Sequence, residues 1–83
     1  MKYNNGSIYT GEWKENKKDG FGTYIYKNKD KYEGNWKNDE MSGTGNFYYN
    51  NGNVDKGYYE NNRRKGLFEC YDIKNNITNQ IEY

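Results

Sequence analysis

Histidine is absent from these 83 residues, and cysteine occurs once, at Cys70. One cysteine allows no intramolecular disulfide, and with no histidine the Cys/His zinc sites are excluded. No metal site or cofactor is expected. A thiol without a partner fits a reducing compartment, and the cytoplasm is the expected location, with the periphery of a membrane or the cytoskeleton as an option within it. Long apolar runs are also missing. The opening Met1-Lys2-Tyr3-Asn4-Asn5-Gly6 has no signal-peptide core. Nothing approaches the roughly 20 apolar residues of a membrane-spanning helix. Aliphatics are scarce: Leu, Ile, Val and Phe together make ten of the 83 residues. That is below the level of about 20 % at which chains usually fold. The net charge is only +1, however, and disorder usually combines low hydrophobicity with high net charge.

Aromatic residues make up 19 % of the chain, including 11 tyrosines. They recur at a fixed interval. Tyr9-x-Gly11-x-Trp13 with Gly20-x-Gly22-x-Tyr24 returns 23 residues later as Tyr32-x-Gly34-x-Trp36 with Gly43-x-Gly45-x-Phe47. A third copy is altered: Asp55-x-Gly57-x-Tyr59, then Gly66-x-Phe68-x-Cys70. A repeat of this length, free of insertions, marks units that stack on their neighbours. One domain spans 1–83, with repeats at 9–31, 32–54 and 55–77 and a tail or cap at 78–83.

Inside a unit the alternation has period two. Tyr9, Gly11 and Trp13 share one face of an extended segment, with Thr10, Glu12 and Lys14 on the other. A polar loop, Glu15-Asn16-Lys17-Lys18-Asp19, precedes a second run with Gly20, Gly22, Tyr24 and Tyr26 on one face. Two such runs make a hairpin. The linking turns contain Asn5-Gly6 and Asn51-Gly52, a pair suited to tight turns. The expected fold is all-β, an antiparallel hairpin ribbon. The glycines Gly11, Gly20, Gly22, Gly34, Gly43, Gly45, Gly57 and Gly66 are expected to be structural, with an indole lying over bare backbone. A phosphate-binding loop at Gly20-x-Gly22 lacks the third glycine and the helix it needs. In the tail, Ile73, Asn75, Ile77, Asn79, Ile81 and Tyr83 share a face if the segment is a strand, and the isoleucines also fit a helix. β-Branching and asparagine favour the strand.

These motifs resemble the membrane occupation and recognition nexus (MORN) repeat, with close agreement at residues 9–54 and departures at Asp55, Phe68 and Cys70. The resemblance implies a twisted ribbon with an aromatic groove and a role in binding or assembly. Family members occur alone as scaffolds or attached to enzymes such as phosphoinositide kinases and a histone lysine methyltransferase. The altered third copy is either a cap or a decayed unit.

No catalytic constellation is present: Ser7 and Ser42 have no base beside them, and Cys70 takes a slot held elsewhere by Tyr24 and Phe47. The chain is expected not to be an enzyme. The groove is assigned to Tyr9, Trp13, Tyr24, Tyr32, Trp36, Phe47 and Tyr59, with the core as the competing role for Trp13 and Trp36. A protein partner is expected, with self-association through end strands as a further route. The alternatives are an anionic, phosphoinositide-containing membrane held by Lys17, Lys18, Arg63, Arg64 and Lys65, or regulation of a larger enzyme such as a lipid kinase. Interleaved carboxylates argue against nucleic acid.

Overall fold

The computed structural model describes residues 1–83. Each alternating run is a strand: β1 (Ile8–Lys14), β2 (Lys17–Ile25), β3 (Lys31–Lys37), β4 (Glu40–Tyr48), β5 (Val54–Glu60), β6 (Arg63–Asp72) and β7 (Ile77–Glu82). They pair antiparallel in sequence order as one open sheet without helices. The all-β ribbon expected from the alternation is the fold. The tail is a strand from Ile77, whereas Ile73 and Asn75 lie in the preceding turn rather than on its face.

Two kinds of turn alternate along the ribbon, and both differ from expectation. Within a unit the polar loop shrinks to two residues, Glu15-Asn16, Asn38-Asp39 and Asn61-Asn62. All six have positive φ, between 50° and 69°. That is the signature of the type I′ turn, whose twist matches that of the strands. Lys17 and Lys18 therefore open β2, and Arg63, Arg64 and Lys65 open β6, instead of lying in loops. Between units the turns are longer. At Tyr3–Ser7 the Gly6 N–H donates to Tyr3 O at 3.0 Å and the Tyr3 N–H to Ser7 O at 2.8 Å. Only Gly6 is left-handed there, so Asn5-Gly6 belongs to a three-residue loop and not to a type I′ pair. Lys29 adopts the same conformation in the second copy. Side-chain oxygens of Asn5, Asn28 and Asn51 each accept the N–H two residues on, all at 3.0 Å.

The core is a file of rings. Ten of 83 residues are buried, and the apolar ones are Tyr9, Tyr32, Trp36, Tyr59 and Phe68. Consecutive rings meet edge to face, from Tyr9–Trp36 at 5.6 Å through Trp36–Tyr32 at 5.2 Å, Tyr32–Tyr59 at 5.0 Å and Tyr59–Phe68 at 5.3 Å. This geometry places the positive ring edge on the negative face and adds about 1 kcal/mol per pair to the burial. The rings over glycine are tyrosines, not indoles. Tyr9 covers Gly22 and Tyr32 covers Gly45, where a Cβ would fall inside the ring. Each tyrosine hydroxyl then donates to a carbonyl of its own strand, Tyr9 to Glu12 at 2.9 Å and Tyr32 to Asn35 at 3.0 Å. The Trp36 indole instead ties two units together, donating from Nε1 to Gly22 O at 3.2 Å.

The third unit inverts this arrangement. Asp55 stands where Tyr9 and Tyr32 stand, and Phe68 where Gly22 and Gly45 stand. The Phe68 ring lies over Gly57, the counterpart of Gly11 and Gly34. Ring-on-glycine contact survives with the ring supplied from the opposite strand. The altered copy is thus a packed unit. β7 completes it: Tyr83 and Gly66 exchange main-chain hydrogen bonds of 2.9 and 3.2 Å. Tyr83 thereby pairs as Trp36 pairs with Gly20 and Tyr59 with Gly43, and its ring meets Phe68 at 5.2 Å.

Candidate functional site

Burial divides the seven residues assigned to a groove. Tyr9 and Tyr32 are 0 % exposed and Tyr59 is 2 %. With Trp36 they are the core, and a partner cannot touch their faces without unfolding the sheet. Tyr24 and Phe47 are half-buried, and Trp13 is 43 % exposed at the ribbon's first edge. The core role that competed for Trp13 and Trp36 holds for Trp36 alone.

The accessible aromatic surface is a second file beside the core. It runs Tyr3–Tyr24 at 5.7 Å, Tyr24–Tyr26 at 4.8 Å, Tyr26–Phe47 at 5.7 Å and Phe47–Tyr49 at 4.9 Å. All five rings are half-buried. Tyr3, Tyr26 and Tyr49 were not among the residues assigned from sequence. Their own signal was present, since they recur at the 23-residue interval, at 3, 26 and 49, before Asp72 breaks the series. They lie just outside the repeat signature, where the strand hands over to the turn. The turns beside this file are tied to one another. Asn50 donates its main-chain N–H to Asp30 and its side-chain N–H to Asn28 O, at 2.8 and 2.9 Å, linking one turn to the next.

A cation or thioether roofs the rings in every unit, at Lys18, Met41 and Arg64. Lys18 Nζ lies 5.3–5.7 Å from the centres of Tyr3, Tyr9, Tyr24 and Trp36 and 3.5 Å from Asp39. Met41 packs against the core. Arg64 donates to Asp55 at 2.6 Å, to Tyr49 at 2.9 Å and to Tyr83 at 3.2 Å, and sits over Phe68 at 5.1 Å. Burial works to raise the Asp55 carboxyl, but hydrogen bonds from Tyr49, Arg64 and Cys70, with the Arg64 charge, hold it below the usual carboxylate range. Burial also opposes the Arg64 charge, and the Asp55 and Tyr49 bonds more than restore it. Burial raises Cys70, away from the thiolate form a nucleophile needs.

The five basic residues do not form one patch. Successive strand residues point to opposite faces, so Lys18 and Arg64 turn to the rings while Lys17, Arg63 and Lys65 turn away. Lys18 and Arg64 are paired internally, and Lys65 pairs with Glu60 at 2.6 Å. Their separation is a correction to the reading that grouped them. No cluster of three or more His, Cys, Asp or Glu residues is arranged to hold a metal.

A search of curated proteins found no match. A family model of the MORN repeat matches residues 9–31 and 32–54, two consecutive units covering more than half of the chain. The matched span stops where Tyr gives way to Asp55 and the ring-on-glycine contact changes strand. With its repeat spacing, its hairpin ribbon and this match, the chain belongs to the MORN repeat family.

Proposed function

We propose that this protein is a non-catalytic scaffold that binds a segment of a partner protein along the half-buried file Tyr3, Tyr24, Tyr26, Phe47 and Tyr49. MORN repeats form a non-catalytic family of protein- and membrane-interaction repeats. The observation that supports this reading is the continuity of five partly exposed rings along one face of the sheet. Rigid aromatic surfaces bind with little loss of side-chain entropy, and tyrosine dominates many binding hot spots. An amphipathic helix laid along the file would bury its apolar stripe against the rings.

The basic residues lend less to membrane attachment. Lys17 and Arg63 carry no ion pair, and each basic residue near an anionic surface contributes about 1 kcal/mol, too little alone to hold a monomer.

A photo-reactive residue placed at Tyr26, and separately at Thr44 on the opposite face, tests the reading in native cells. Discrete adducts at position 26 that disappear with Tyr24→Ser/Tyr49→Ser are expected. Equal labelling from both faces, or adducts at position 26 unchanged by that double substitution, would overturn it.

A further inference from the structure

Strand alternation gives the sheet a second face, turned away from the rings. Three rows of side chains cross it between β2 and β6. The upper row is Ile25, Lys31, Tyr48, Val54 and Tyr71, all half-buried and joined pair by pair across the strands. The middle row is Thr23, Glu33, Asn46, Lys56 and Glu69, joined by the same registers. The lower row contains Phe21, Thr44 and Leu67, one repeat position taken at the 23-residue interval. Phe21 and Leu67 are 53 % and 55 % exposed. Leu67 borders an open depression of about 330 Å³ with Thr44, Asn46 and Lys56. The charges of the middle row are not consumed within the sheet. Lys56 and Glu69 are cross-strand partners, yet neither enters an ion pair. Glu33 accepts only a 3.4 Å bond from Thr23.

We propose that two copies of this chain pair face to face through these rows, about a two-fold axis running along β4. The face is separate from the aromatic file, and neither reading depends on the other. Stacked sheets lie about 10 Å apart with strands within about 30° of one another. The axis sets β3 against β5, and β2 against β6, of the second copy, and keeps each row at its own height. In such an isologous contact every pairing occurs twice. Glu33 meets Lys56, and Phe21 meets Leu67. On the axis Tyr48 meets Tyr48, and Asn46 meets its own counterpart, whose amide both donates and accepts. The charges select this axis. A two-fold running across the strands would set Glu33 on Glu33 and Lys56 on Lys56. An axis along β3 would do the first, and one along β5 the second. Beside the type I′ turns Lys17 would face Arg63, and Glu40 its own counterpart, so the contact ends above the turns. By strand spacing the remaining area is about 20 by 25 Å. That is below the roughly 800 Å² per partner of a stable complex, so the pair should dissociate on the order of 100 µM.

Sedimentation equilibrium of the purified protein at low ionic strength, from about 10 µM to about 1 mM, should show the mass rising reversibly toward twice that of the chain. Lys56→Glu and Glu33→Lys should each weaken pairing at least about tenfold, because two ion pairs become two like-charge contacts. An equimolar mixture of the two variants rebuilds both ion pairs and should pair as the native protein does. Phe21→Ser, which leaves the charges alone, should also weaken pairing about tenfold by removing two apolar contacts. Circular dichroism confirms that each variant is folded; if a charge variant is not, Phe21→Ser and the native series decide. A photo-reactive residue at Thr44 of the purified protein should give an adduct of twice the chain's mass, which separates it from labelling by another protein. A native mass that stays single throughout the range would overturn the proposal. So would pairing unchanged in the charge variants, which would place the contact on the strand edges, or folded charge variants that stay apart when mixed.

Discussion

At Gly22 and Gly45 a neighbouring tyrosine ring fills the space a side chain would need. Gly22→Ala or Gly45→Ala must push Tyr9 or Tyr32 off the backbone and break its bond to Glu12 O or Asn35 O. A loss of about 2–3 kcal/mol is expected from urea unfolding. Gly66 provides the contrast, with open space around it but a φ of +76°. Gly66→Ala should cost about 1–2 kcal/mol, through backbone strain alone. Tyr59 carries a buried hydroxyl without a partner, and burial pushes its phenol up to about 12. Removing an unsatisfied group returns its desolvation cost, so Tyr59→Phe should leave the midpoint unchanged or raise it. Asp55 contributes to the acid limb. Its carboxyl is depressed in the folded state, so its contribution is complete above the ordinary carboxylate value of about 3.9 and is lost as pH falls through the lower folded value. Asp55→Asn should destabilise by about 2 kcal/mol at neutral pH. The gap to the native protein should close as the pH falls below about 3.9.

Among the elements, the third hairpin shows how a sequence can depart from a motif and keep its packing. Tyr9 and Tyr32 project from first strands, whereas Phe68 projects from a second strand onto Gly57. The two changes at 55 and 68 are therefore one exchange. Phe68→Gly alone should cost about 3–5 kcal/mol, because nothing then covers Gly57. Adding Asp55→Tyr rebuilds the arrangement of the second unit, and the double variant should recover at least about 1 kcal/mol relative to the sum of the singles. A purely additive result in a chemical-denaturation cycle would contradict the exchange. The turns teach a related lesson. Asn5-Gly6 and Asn51-Gly52 carried the strongest short-range turn signal, but the type I′ turns formed at Glu15-Asn16, Asn38-Asp39 and Asn61-Asn62 without glycine. Asp39 and Asn62 each repay their left-handed strain with two hydrogen bonds to the previous unit, a compensation that local propensity cannot register.

Across the whole molecule, a ribbon of 41 × 25 × 15 Å has no centre, and each strand touches mainly its neighbours. Stability in such a stack is a sum of unit and interface contributions and falls toward the ends. Native-state hydrogen exchange should find the strongest protection in β3 and β4, and the weakest in β7, whose residues are all exposed. The indoles supply an internal control: Trp36, buried and bonded, should exchange orders of magnitude more slowly than Trp13. The unit length, the alternation of ring and glycine, the hairpin ribbon and the family were all legible in the order of residues, because period two and period 23 are properties of the chain itself. Which rings are core and which are surface was not. Tyr9 and Tyr24 face the same way from paired positions, yet Tyr9 is enclosed between Gly22, Trp13 and the next unit's Trp36 while Tyr24 stays half open. The basic residues followed the same rule, since strand alternation and the reach of Asp39 and Asp55 across strands separated charges adjacent in sequence. Local pattern decided what each segment would become; packing between units, a property of three-dimensional neighbours, decided what each side chain is free to do.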